Sequence, residues 1–95
     1  MDISNSILEL RKKRSLKQKD ACKLIGISQT YLSQLESGKK DASTAVICNI
    51  AKVYGVPASV IYFMAMGVKD IKPSKQKLFL MLKPVIDSMI NEIIM

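Results

Sequence analysis

Residues 18–37 read QKDACKLIGISQTYLSQLES, and their spacing decides the fold. Ala21, Cys22 and Ile25 share one helical face, and Leu32 and Leu35 share another, with Gly26 between the two runs. Gly26 supplies the positive φ that ends a helix at low cost, and Ser28 is an N-cap for the second helix. Cys22 must be small, because the second helix crosses the first at close range there. Ile25, Ile27, Leu32 and Leu35 fix the angle between the two. The outer face of the second helix is then Gln29, Thr30, Ser33 and Gln34, all uncharged and all hydrogen-bonding. Such a face suits the edges of bases better than it suits phosphate neutralisation alone.

Two short helices joined by a tight glycine turn form a helix-turn-helix. Outward from it the periodicity stays helical. Ile3, Ile7 and Leu10 place a first helix from Asp2, its cap, to about Arg14. Ser43 caps a fourth helix with an inward stripe of Ile47, Ile50, Ala51 and Tyr54, closed by Gly55. Pro57 opens a fifth, carrying Val60, Ile61, Phe63 and Met64. Residues 67–74 (GVKDIKPS) read as a linker. A sixth helix is expected from about Lys75 to Ile94, capped by Ser74, with a kink or break at Pro84. No strand is expected. The fold class is all-α: a domain at residues 1–66 with the motif at 18–37, the linker at 67–74, and a C-terminal helix at 75–95.

Composition narrows the function. The 95 residues carry 15 Lys and Arg against 8 Asp and Glu, for a net charge of +7. Residues 1–40 hold 9 of those cations and 4 of the anions, so an anion-binding face belongs to the first half, and the partner is polyanionic. The chain has no His, which removes the commonest general base and metal ligand. It also shows no paired carboxylates and no phosphate loop. An enzyme is not expected, nor a cofactor, a metal site or a small-molecule ligand. Cys22 and Cys48 are expected as small buried apolar residues, and Tyr31 and Tyr54 as half-buried packing. The N-terminus MDISNSILEL lacks a charged region ahead of an apolar one, so no signal peptide is expected. The most apolar stretch, 78–95, is interrupted by Lys83, Pro84, Asp87, Asn91 and Glu92, so no membrane span is expected.

The stretch LRKKRSLKQKDACKLIGISQTYLSQLESGKK (Leu10 to Lys40), with its run GIS-x-x-YLS-x-LE-x-GK, resembles the lambda-repressor-like Cro/cI (XRE-type) helix-turn-helix family. AKVYGVPASVIYF (Ala51 to Phe63) resembles that family's fourth and fifth helices, so the resemblance spans about residues 3–64. It implies a five-helix domain binding double-stranded DNA, usually as a dimer on pseudo-palindromic operators. By position, Gln29, Thr30, Ser33 and Gln34 would face bases in the major groove. Lys17, Gln18, Ser37, Lys39 and Lys40 would meet the phosphate backbone. Arg11 and Glu36 match a pair often joined between the first helix and the end of the third. Four positions depart from the pattern. Ala21 replaces a larger aliphatic, Ser37 a common Asn, and Ala42 a Pro before the fourth helix. Lys17 replaces a Ser or Thr cap, a cation opposed to the helix dipole until a phosphate arrives.

The C-terminal helix lies beyond the resemblance. Its apolar face is too wide for one contact and would be a large patch if exposed. One reading folds it back on the body. The favoured one makes it a homodimer interface through Leu82, Val85, Ile86, Met89, Ile90 and Ile93, with Leu78 to Leu82 on the body and Val85 to Ile94 across the dimer. The expected protein is a bacterial or phage-encoded cytoplasmic, nucleoid-associated repressor. The alternative is an antitoxin-like or accessory protein whose C-terminal helix binds a different protein.

Overall fold

The computed structural model describes residues 1–94. The described elements are α1 (Ile3–Lys13), α2 (Gln18–Ile25), α3 (Gln29–Glu36), α4 (Thr44–Tyr54), α5 (Ala58–Ala65) and α6 (Gln76–Ile94). Two 3-10 turns, Val68–Asp70 and Pro73–Lys75, lie between α5 and α6. No strand occurs among the described residues, so the chain is all-helical. No single described helix is long and apolar enough to cross a membrane.

Local chemistry sets the helix starts. The Asp2 carboxylate accepts from the Asn5 N–H at 3.1 Å, the Ser28 hydroxyl from Tyr31 at 3.0 Å and the Ser43 hydroxyl from Val46 at 3.2 Å. Each satisfies a first-turn N–H that the helix leaves unpaired. Gly26 closes α2 in the left-handed conformation, φ +85°. Ser15 adopts φ +56° after α1, a region where a Cβ is costly and which no local sequence pattern signals here.

One core joins the first five helices. Ile7 and Leu10 of α1, Ala21 and Ile25 of α2, Leu32 and Leu35 of α3, Ile50 of α4 and Ile61 of α5 are all buried in it. α1 packs against α3, α4 and α5. The Asp2 N–H donates to the Ala65 carbonyl at 2.8 Å, tying the start of α1 to the end of α5. Cys22 is buried as expected, but Cys48 is exposed on α4. It falls outside the Ile47, Ile50, Ala51 and Tyr54 stripe that faces the core.

Tyr54 is fully buried rather than half-buried, and its hydroxyl has no partner among the described residues. Burial, with Glu36 nearby, pushes its pKa from 10 to about 12. Between those two values the unfolded chain ionises Tyr54 and the native one does not. Stability is therefore intact below pH 10 and falls by about 3 kcal/mol as pH rises through 12. Tyr54→Phe should remove this part of the alkaline loss. It should cost nothing at neutral pH, since the hydroxyl it deletes is unpaired. Urea midpoints of the two proteins, compared at pH 7 and through the alkaline window, check both statements.

α6 departs most from expectation. It begins at Gln76, with Ser74 inside the preceding turn rather than capping it. It runs unbroken through Pro84. Both Pro84 and Leu80, whose carbonyl loses its helical partner, are exposed, and water can replace the missing bond there. The dimer assignment of Ile86 and Ile90 is corrected. Ile90 and Ile94 are 6% and 4% exposed within the chain's own core, and Ile86 packs against the same cluster. These three recur every fourth residue and so form one stripe that reaches the body. Leu78 and Leu82, expected on the body, are instead about half exposed. Proline therefore does not divide the helix into an inner and an outer half; the division runs along its length.

The docked end of α6 is fixed by Arg14. Its Nε donates to the Tyr54 carbonyl at 2.8 Å, and its Nη1 to the Ile94 carbonyl. Both carbonyls lie in final turns, where no helical N–H reaches them, and the cation suits both dipole ends.

Candidate nucleic-acid interface

The site is built on an ion pair that joins α1 to α3. Arg11 donates from Nε to Glu36 Oε2 at 2.7 Å and from Nη2 to Glu36 Oε1 at 3.0 Å. Its third nitrogen, Nη1, donates to the Leu16 carbonyl at 2.8 Å. The two side chains are only 13% and 4% exposed. The hydrogen bond to Glu36 raises the pKa of Arg11, with burial opposing. This two-point contact fixes the end of α3 against α1 with more directional control than a single bond could give.

Gln18 completes the network. Its Nε2 donates to Glu36 Oε1 at 2.9 Å. A carboxylate can only accept, so this bond settles which end of the amide faces inward. An amide nitrogen carries two protons, and the second is left for another acceptor. Gln18 is half-buried at the first turn of α2, beside Lys17, the N-cap residue, which makes no side-chain cap.

α3 then presents its polar side. Gln29, Thr30 and Ser33 are exposed and Gln34 is half-buried. Together with Gln18, Ser37 and Lys39 they line one open concavity. Six of these seven offer a carboxamide or hydroxyl that can both donate and accept, and the seventh, Lys39, offers an ammonium that only donates. The turn after α3 is wound tightly onto it: the N–H groups of Lys39 and Lys40 donate to the Gln34 carbonyl at 3.0 and 3.2 Å. The Ser37 hydroxyl donates to that carbonyl too, at 3.3 Å, and so turns toward the helix rather than outward. The Lys40 ammonium lies 6.0 Å over the ring of Tyr31, at the edge of cation–π range. Tyr31 is half-buried packing, as its spacing suggests.

The positions named as the frame of the motif occupy its interior. Cys22, Leu32 and Leu35 are buried and Ile27 is packed against them. The Cys22 thiol donates to the Lys19 carbonyl at 3.2 Å, one turn back. Two supporting residues escaped the sequence reading. Asn49 on α4 donates to the Ile25 carbonyl at 2.7 Å and closes the C-terminal end of α2. Arg14, the last cation of the run RKKR (residues 11–14), anchors α4 and α6. Both act across long sequence separations, which no local pattern reveals.

Comparison with known proteins gives two matches. A helix-turn-helix family model matches residues 7–61. The "ImmF control region 10 kDa protein" of Bacillus phage phi105 is 36% identical over 55 residues, 58% of this chain. The match spans 61% of that phage protein's length.

Proposed function

Since the chain belongs to the XRE-type helix-turn-helix family of DNA-binding transcription regulators, we propose that it is a repressor, binding a pseudo-palindromic operator as a homodimer. The observation that carries the reading is the α3 face: donor–acceptor side chains lie together in one concavity, with Lys39 at its rim and Lys17 and Lys40 nearby. The similarity to a phage control-region protein supports a role in gene control and a phage or bacterial source, hence the cytoplasm. Residues 1–66 would form the DNA-binding unit, 67–74 the connection and 75–95 the dimerising segment.

In this reading Gln29 and Gln34 contact adenine N6 and N7 through their amides, while Thr30 and Ser33 fit the bases between them. Gln18 gives its second amide proton to a phosphate while Glu36 holds the first. Lys17, Lys39, Lys40 and the turn at Ser37 straddle the same backbone. Selection of bound sites from random DNA, then sequencing, should return a two-fold-symmetric consensus. Gln29→Ala or Gln34→Ala should cost about 1–3 kcal/mol and relax preference at one or two positions. Lys39→Ala should weaken binding to all sequences alike and reduce the slope of affinity against salt by about one. An unchanged consensus for both glutamine variants would mean that another surface reads the DNA.

A further inference from the structure

Docking of α6 uses one stripe and leaves a second, on the adjoining face, uncovered. Leu78, Met81, Leu82, Val85, Met89 and Ile93 are between 47% and 67% exposed. They recur at helical spacing and share a single face. The patch continues onto α5, where Phe63 is 46% exposed. There Val60, Phe63, Ile86, Met89 and Ile93 line an apolar groove between the two helices. With about half of each large side chain wet, the patch is on the order of 700 Å². That exceeds the largest patch on a typical monomer and approaches the ~800 Å² that each partner gives to a standard interface.

The charges on α6 say what covers it. Lys83 and Asp87 pair with each other within the helix at 3.1 Å, which leaves Lys77, with Lys75 just ahead, at the first end and Glu92 at the last. A second copy running antiparallel sets the basic end of each helix against the acidic end of the other. A parallel copy opposes like with like, in both side chains and helix dipoles. We propose that the α6 stripe pairs with the same stripe of a second copy, antiparallel, with the two-fold axis near Val85. In that register Leu82 faces Met89 of the second copy, Leu78 faces Ile93, and Lys77 lies near Glu92. The proposal rests on the homodimer reading above and supplies its interface.

The test uses the full chain with the exposed Cys48 replaced by Ser, leaving the buried Cys22. Three single cysteines are introduced: Leu78→Cys, Val85→Cys and Ile93→Cys. Each position is exposed, and far-UV circular dichroism verifies that each variant is folded. Under mild oxidation Val85→Cys should link to itself. Leu78→Cys and Ile93→Cys should each fail to link alone, yet link to one another when mixed. Self-linking of Leu78→Cys would overturn the antiparallel arrangement. A monomer in sedimentation, with no cross-linking, would overturn the interface and leave the stripe to a different protein. DNA binding is read separately: a cross-linked dimer without a symmetric consensus sinks the operator reading and leaves the interface standing.

Discussion

Arg11→Met is expected to lower stability by about 3–5 kcal/mol, the largest effect of any single substitution away from the main core. The reason is the group left behind. Glu36, with 4% of its side chain exposed, would keep one bond from Gln18 and lose both from Arg11. A carboxylate that is out of water and without its cation is costly, whereas two charges removed together are not. The double variant Arg11→Met/Glu36→Leu should therefore regain much of the loss. Denaturant unfolding of the two singles and the double makes a cycle that isolates the pair. The double variant should stay folded yet bind DNA less tightly, since Gln18 would no longer be held by Glu36. Equal stabilities of Arg11→Met and the parent protein would mean that water reaches Glu36 and that the pair is an ordinary surface one.

The first five helices were legible because each rests on chemistry within a few residues. Asp2, Ser28 and Ser43 each cap the first turn of a helix, and Gly26 ends the last turn of one. The exposed face of α3 was legible for a related reason: once Leu32 and Leu35 are turned inward, Gln29, Thr30 and Ser33 have nowhere to point but outward. The features that were not legible depend on contacts distant in sequence. Arg14 looks like any cation in RKKR, and only the arrival of Tyr54 and Ile94 beside it makes it an anchor. Asn49 looks like a solvated helix position until α2 ends against it. α6 has apolar residues on most of its circumference, so periodicity cannot choose which stripe docks. Ile86, Ile90 and Ile94 were selected by the body they meet, and Val85 and Met89 were left outside.

That selection leads to the second large effect. If α6 joins two copies, each copy presents one α3, and the two recognition helices address half-sites one helical turn apart, about 34 Å on one face of the DNA. The second contact is then intramolecular, and its gain comes from effective concentration rather than from any new bond. Val85→Glu should remove this gain. It places two like charges at the axis in an otherwise apolar contact, while in the monomer the new side chain sits on a surface that is already 58% exposed. We expect a folded monomer whose affinity for the intact operator falls by about 10²–10⁴-fold. Its affinity for an isolated half-site should not change, because α3 and its network with Arg11 and Gln18 lie on other elements. Inserting five base pairs between half-sites should weaken the parent protein in the same way, by turning one site to the far side of the duplex, and leave Val85→Glu unaffected. Titration of both proteins against the three DNAs separates the contributions. A Val85→Glu protein that still distinguished the intact operator from the half-site would place the coupling between copies on a surface other than α6.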